Sequence, residues 1–162
     1  VQKTALQMSA AAATVVFLVY AAFLGAVLSG IFLVYSLPSI GGAFFLTAGI
    51  FGAMSVYGFV TKKDLTSMGS FLTMAIVGLF IATIVNFFIA SGPFSWLLTY
   101  LILGVFIVFT VYETQQLKQF AIKNQDNADL AGRMAIVGAL ILYIAFLNMF
   151  LSVLRIFGGN RG

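Results

Sequence analysis

Formal charge is absent from two long stretches of this 162-residue chain: one runs from Lys3 to Lys62, the other from Asp64 to Glu113. Each has room for two helices of about 20 residues, the length that crosses a hydrocarbon core of roughly 30 Å at about 1.5 Å per residue. A further apolar run follows Arg133. The chain therefore reads as an all-α membrane protein, a polytopic bundle of five transmembrane helices over residues 9–34, 40–60, 69–90, 94–118 and 133–157, forming one domain across 1–162.

Composition narrows the function classes. The chain is 62% hydrophobic and 7% charged, against about 25% charged residues in soluble domains. The net charge of +4 does not point to nucleic acid, because the basic residues fall at helix ends, where they act as topology signals. Cys and His are both absent, which removes disulfides, thiolate nucleophiles, the commonest metal ligand and the usual pH switch. Proton sensing, if there is any, falls to a carboxylate. No Ser-His-Asp set, no paired aspartates on one helix and no glycine-rich phosphate loop occur. The chain reads as a transporter, channel or regulator rather than an enzyme, with no cofactor.

The connections alternate in character. Tyr35 to Ser39, broken by Pro38, and Ser91-Gly92-Pro93 form uncharged hairpins, whereas Thr61 to Asp64 and the hydrophilic stretch 119–132 carry charge. The second of these reads as a solvated loop. Lys3, Lys62, Lys63, Lys118, Lys123 and Arg133 collect on one side if the first four helices cross, and that side is cytoplasmic by the positive-inside rule. Arg155 and Arg161 then conflict with a fifth crossing. Charge alone leaves open whether the last helix spans or re-enters, although about 25 residues are ample to span.

Small residues at four-residue spacing suggest close helix contacts: Ala21, Gly25 and Ser29, then Ala48 and Gly52, then Gly78 and Ala82. Packing within the bundle is the expected use, with a dimer interface as the alternative. Trp96 reads as an interfacial anchor. Two ionisable residues, Glu113 and Arg155, lie within or at the end of apolar helices, and an intramembrane charge is a functional candidate because burying it costs several kcal/mol. Glu113 is placed roughly 25 Å along the helix from Trp96, with Gln115 and Gln116 beside it as a polar cluster able to hold a carboxylate. Tyr112 and Tyr143 offer hydroxyls to it. Arg155 is expected to snorkel to the headgroups, and Asn86 and Asn148 to bond across helices.

Several segments together are similar to a known family. Phe51-Gly52-Ala53-Met54-Ser55-Val56-Tyr57-Gly58, Thr61-Lys62-Lys63-Asp64-Leu65, Val111-Tyr112-Glu113-Thr114-Gln115, Ala139 to Tyr143, Phe146 to Leu151 and Leu154 to Gly158 resemble the transmembrane Bax inhibitor motif family, and most of all its bacterial branch. The resemblance implies a seven-helix fold, of which these five helices match the third to the seventh, so that two N-terminal helices of the family fold are lacking here. It also implies a spanning last helix, residence in a bacterial inner membrane, and a calcium leak controlled by pH through two aspartates. Glu113 stands at the first aspartate position and Ala145 at the second. Two carboxylates held close share a proton, and Glu113 lacks that partner. The resemblance thus implies a pH-modulated calcium or cation leak with weakened or altered gating. The alternative is a non-conducting regulator of a membrane-bound quality-control protease, a role linked to some bacterial relatives.

Overall fold

A computed structural model describes residues 9–158; Lys3 and Arg161 lie outside the described residues. Six helices follow one another: α1 (Ala10–Leu28), the short α2 (Ile31–Val34), α3 (Leu37–Val60), α4 (Met68–Ile89), α5 (Gly92–Lys123) and α6 (Ala128–Phe157). Together α1 and α2 form one broken span, Ala10–Val34, so five helical segments are long and apolar enough to cross a membrane.

Local chemistry sets the helix ends. Ser9 caps α1 by accepting the Ala12 N–H at 3.2 Å, one of the orphan donors of a first turn. Where α1 gives way to α2, the Ser29 N–H is shared between the Gly25 and Ala26 carbonyls, and the Ser29 hydroxyl donates to Ala26 at 2.6 Å. Ser36 caps α3, and Pro38 sits in its first turn. Pro38 opens that helix rather than breaking the chain, because its missing N–H is one the first turn would leave unpaired. Ala90 closes α4 in the left-handed conformation at φ 52°, a C-cap geometry that glycine adopts more cheaply.

The hydrophilic stretch 119–132 is not an extended loop. Helix α5 continues to Lys123 and α6 begins at Ala128, leaving 124–127 as the connection, where Asn127 accepts the Leu130 N–H at 3.0 Å. Leu117, Phe120 and Ala121 face Ala131, Met134 and Ala135 across a shallow apolar gap. Hydropathy marks where the surroundings become aqueous, whereas apolar residues at helical spacing carry the two helices on past that level.

The antiparallel pair α5 and α6 forms the centre. Helix α3 packs against both, α4 lies on α5, and α1 lies on α6. Ala145, Met149, Val153 and Leu154 on α6 are wholly inaccessible. Around them Phe44 and Phe51 of α3 make edge-to-face contacts with Phe146 and Phe150 of α6 at 5.5–6.3 Å, and the latter two stack on each other at 6.5 Å, separations at which rings attract. Helix α6 runs the full height of the bundle: it starts beside the end of α5 and finishes where Arg155 meets Ser95 at the start of α5 and Gly158 lies against Tyr35. The last helix spans.

Backbones approach closely at glycines other than those in the small-residue stripes. A methyl group on Gly58 would strike the Val111 carbonyl oxygen, one on Gly69 the Tyr112 hydroxyl, and one on Gly138 the Leu117 side chain. Nothing lies within 4 Å of where a methyl would stand on Gly25, Gly52 or Gly78. The glycines of these stripes do not make the bundle's close contacts, which corrects their expected use. Lipid tails are as apolar as leucine, so spacing by itself does not say whether a small residue faces a helix or lipid.

Candidate functional site

The end of the bundle carrying Lys62, Lys63 and Asp64 is fastened by side chains of α5. The buried amide of Gln115 holds the α3–α4 connection from both sides: its Nε2 donates to the Lys63 carbonyl at 2.5 Å, and its Oε1 accepts the Leu65 N–H at 2.9 Å. Lys118 Nζ donates to the Phe59 carbonyl at 2.6 Å, satisfying an orphan acceptor in the last turn of α3. It also stands 4.8 Å from the centre of the Phe59 ring, within cation–π range. Gln116 reaches the Thr66 hydroxyl only loosely, at 3.4 Å. In the connection itself, the Asp64 carboxylate accepts the Thr66 N–H at 3.0 Å. Its pKa lies below the ordinary value because of side-chain and backbone hydrogen bonds from Thr66.

Glu113 sits one turn deeper. It is buried, with 6% of its surface accessible, and among the described residues it has no hydrogen-bond or ion-pair partner. Its neighbours along α5 locate it. Thr110, on the turn before, donates to the Phe106 carbonyl at 2.8 Å and touches the Met149 sulfur at 3.6 Å. Leu117, on the turn after, covers Gly138. Val111 and Thr114 take the close approach of Gly58 from α3 on a different face of α5. Thr110 and Leu117, which flank Glu113 on its own face of α5, both meet α6, and Tyr112 on the adjoining face meets Gly69 of α4, so Glu113 lies against α6 on the side toward α4. The Ser55 hydroxyl, one turn before Gly58 on α3, is also buried and without a hydrogen-bond partner among the described residues.

The other residues singled out in the sequence do not gather around Glu113. Gln115, a supposed support for the carboxylate, grips the α3–α4 connection instead, as two residues along a helix point to different faces. Tyr112 lies over Gly69 with its ring 6.4 Å from that of Phe109, and Tyr143 faces α1 with its ring 5.9 Å from Phe17. Asn148 donates to the Ile144 carbonyl of its own helix at 2.9 Å, and the Asn86 Oδ1 has no partner among the described residues, so neither bond expected across helices is made there. Arg155 is at the far end, donating to the Ser95 hydroxyl at 2.5 Å with its guanidinium 5.3 Å from the Trp96 ring.

Ala145 shares the level of Glu113. Both lie between the Leu117–Gly138 and Thr110–Met149 contacts that tie α5 to α6. Ala145 is fully buried in an apolar cluster with Phe106 and Met149, so one carboxylate, not two, occupies this layer. Lys118 and the glycines at 58, 69 and 138 complete the site, and nothing in the sequence alone marks them out: a lysine near a helix end and a glycine in a membrane helix are both ordinary.

Comparison with known proteins adds a consistent picture. The family described as Inhibitor of apoptosis-promoting Bax1 matches residues 1–162. The Inner membrane protein YbhL of Escherichia coli K12 is 45% identical over 157 residues, covering 96% of this chain and 67% of its own length. A protein of Borreliella burgdorferi is 41% identical over 155 residues, with the same coverage, and the protein RP147 of Rickettsia prowazekii is 38% identical over 156 residues, covering 96% and 65%. The chain thus spans about two thirds of the length of the curated relatives it matches.

Proposed function

Since this chain belongs to the family of inhibitors of apoptosis-promoting Bax1, whose members are integral membrane proteins, we propose that it acts without catalysis as a pH-modulated leak for calcium or similar cations, with Glu113 as the carboxylate that a proton or cation meets inside the bundle. Residence in a bacterial inner membrane goes with this reading and is supported by the name of the Escherichia coli relative.

One observation carries it. Glu113 is buried against α6, on the side of α5 toward α4, with no partner among the described residues, and because burying a carboxylate is costly, one kept in such a place is a functional candidate. Lys118 is turned to Phe59, and Arg133 closes an ion pair on Asp129 at 2.6 Å, four residues along its own helix. A group with no fixed countercharge can exchange a proton or pair with a passing cation, and either event changes the local field. With Ala145 at the same level there is no second carboxylate to share the proton, so the response to pH is expected to be shallower than that of a two-carboxylate pair.

The dry packing of Ala145 against Phe106 and Met149 favours a second reading, in which the bundle conducts nothing and regulates a membrane-bound quality-control protease. Calcium flux from loaded proteoliposomes separates the two. Under the leak reading the parent protein conducts, Glu113→Gln removes the pH response, and Ala145→Asp steepens it. Absence of flux from the parent protein at every pH would leave the regulatory reading, to be followed by capture of a protease from membranes.

A further inference from the structure

A crevice of about 320 Å³ opens between α4, α5 and α6, lined by Ile76, Leu79, Phe80 and Thr83 of α4 and by Ile102 and Asn148 of its other walls. A second, of about 180 Å³, shares Ile102 and Asn148 and continues past Thr99 and Ser152 to Arg155. Together they make one groove from the end of the bundle to its middle. Along α6 it extends from Arg155 to Ile144, roughly 16 Å at helical rise, close to the hydrocarbon depth of a single leaflet, half of about 30 Å.

We propose that this groove seats one acyl chain of an anionic phospholipid whose phosphate rests on Arg155. Charge complementarity supports the headgroup. The four acidic residues of the chain are Asp64, Glu113, Asp126 and Asp129. Asp64, Asp126 and Asp129 lie toward the opposite end and Glu113 near the level of Ala145, roughly 15 Å along α6 from Arg155, so among the described residues no acidic side chain lies beside Arg155. Ser95 and Trp96 hold its guanidinium in place, and a guanidinium fixed in this way suits a phosphate.

The walls support the chain. Thr83, Thr99, Ser152 and Asn148 are polar by name, but each donates to a carbonyl of its own helix: Leu79 at 2.7 Å, Ser95 at 2.9 Å, Asn148 at 2.8 Å and Ile144 at 2.9 Å. With those donors already engaged, the groove makes little demand for water, and most of its surface is apolar.

The chain's single tryptophan is the probe. In nanodiscs, Trp96 fluorescence is quenched by phosphatidylglycerol or phosphatidylcholine brominated near the top of the acyl chains. The parent protein is expected to favour phosphatidylglycerol about fivefold. Arg155→Gln is expected to lose that preference, and so is Thr83→Phe, which fills the groove while leaving Arg155 in place. Inorganic phosphate at constant ionic strength is expected to leave it unchanged. Equal quenching of the parent by both lipids overturns the proposal, as does a preference that survives in either variant. A preference removed by phosphate alone overturns it too, since the site would then hold free anions rather than lipid.

Discussion

At the end that carries Lys62 and Lys63, the chain is tied to itself: Gln115 holds the α3–α4 connection by two hydrogen bonds, Lys118 closes α3, and Gly58, Gly69 and Gly138 bring backbone against neighbouring helices. At the end of Arg155 the hairpins are short and uncharged, and a groove opens between helices. The two ionisable residues of the apolar helices divide the same way. Glu113 is buried just inside the fastened end, whereas Arg155 is exposed at the open one, where Ser95 and Trp96 are its partners among the described residues. A buried group without countercharge persists where the surrounding structure over-determines its position, and a long basic side chain at a helix end reaches the headgroups without such support.

If the fastened end owes its order to close backbone contact, Gly58→Val is the most damaging change, because the obstacle is a main-chain carbonyl that has no rotamer to move into. A loss of about 3 kcal/mol is expected, read as a lowered melting temperature by circular dichroism in detergent. Gly52→Ala, with open space around it, is expected to stay within about 1 kcal/mol of the parent. Next comes Gln115→Leu, which removes both hydrogen bonds to the connection and is expected to cost about 2 kcal/mol. Limited trypsin digestion checks it directly, since cleavage after Lys62 and Lys63 should accelerate, while Arg155→Gln should leave that rate unchanged.

Smaller effects sharpen the contrast. Ala90→Gly, at the open end, relieves a left-handed backbone and is expected to stabilise by up to about 1 kcal/mol, raising the melting temperature slightly. Asp64 gives a pH signature at the other end. Its folded pKa is lowered by the Thr66 hydrogen bonds, so the stabilisation is present above the unfolded value of about 3.9 and is lost as pH falls through the folded value. Hydrogen exchange of the Thr66 amide should therefore lose protection only in strong acid, and Asp64→Asn should remove that pH dependence.

The spans were legible in the sequence because a membrane permits few charges between its faces, and the gaps between Lys3 and Lys62 and between Asp64 and Glu113 leave little else to choose. What happens beyond the faces was not legible: residues 119–132 are hydrophilic yet mostly helical, since solvent and backbone conformation are separate properties. The close glycines were hidden for a different reason. Gly52 and Gly58 look equivalent in the sequence, and only the register of α3 against α5 puts the second, not the first, on the Val111 carbonyl. Glu113 stood out as a rare carboxylate, but its lack of a partner depends on where Lys118 and Gln115 turn, and both turn to the α3 end and the connection after it.

The most direct test of the central claim is calcium efflux from proteoliposomes carrying the parent protein, Glu113→Gln and Arg155→Gln, followed from acid to neutral pH. If Glu113 is the group that protons and cations meet, the parent's efflux varies with pH, Glu113→Gln makes it independent of pH, and Arg155→Gln keeps the parent's profile. A pH dependence that persists unchanged in Glu113→Gln would contradict the account.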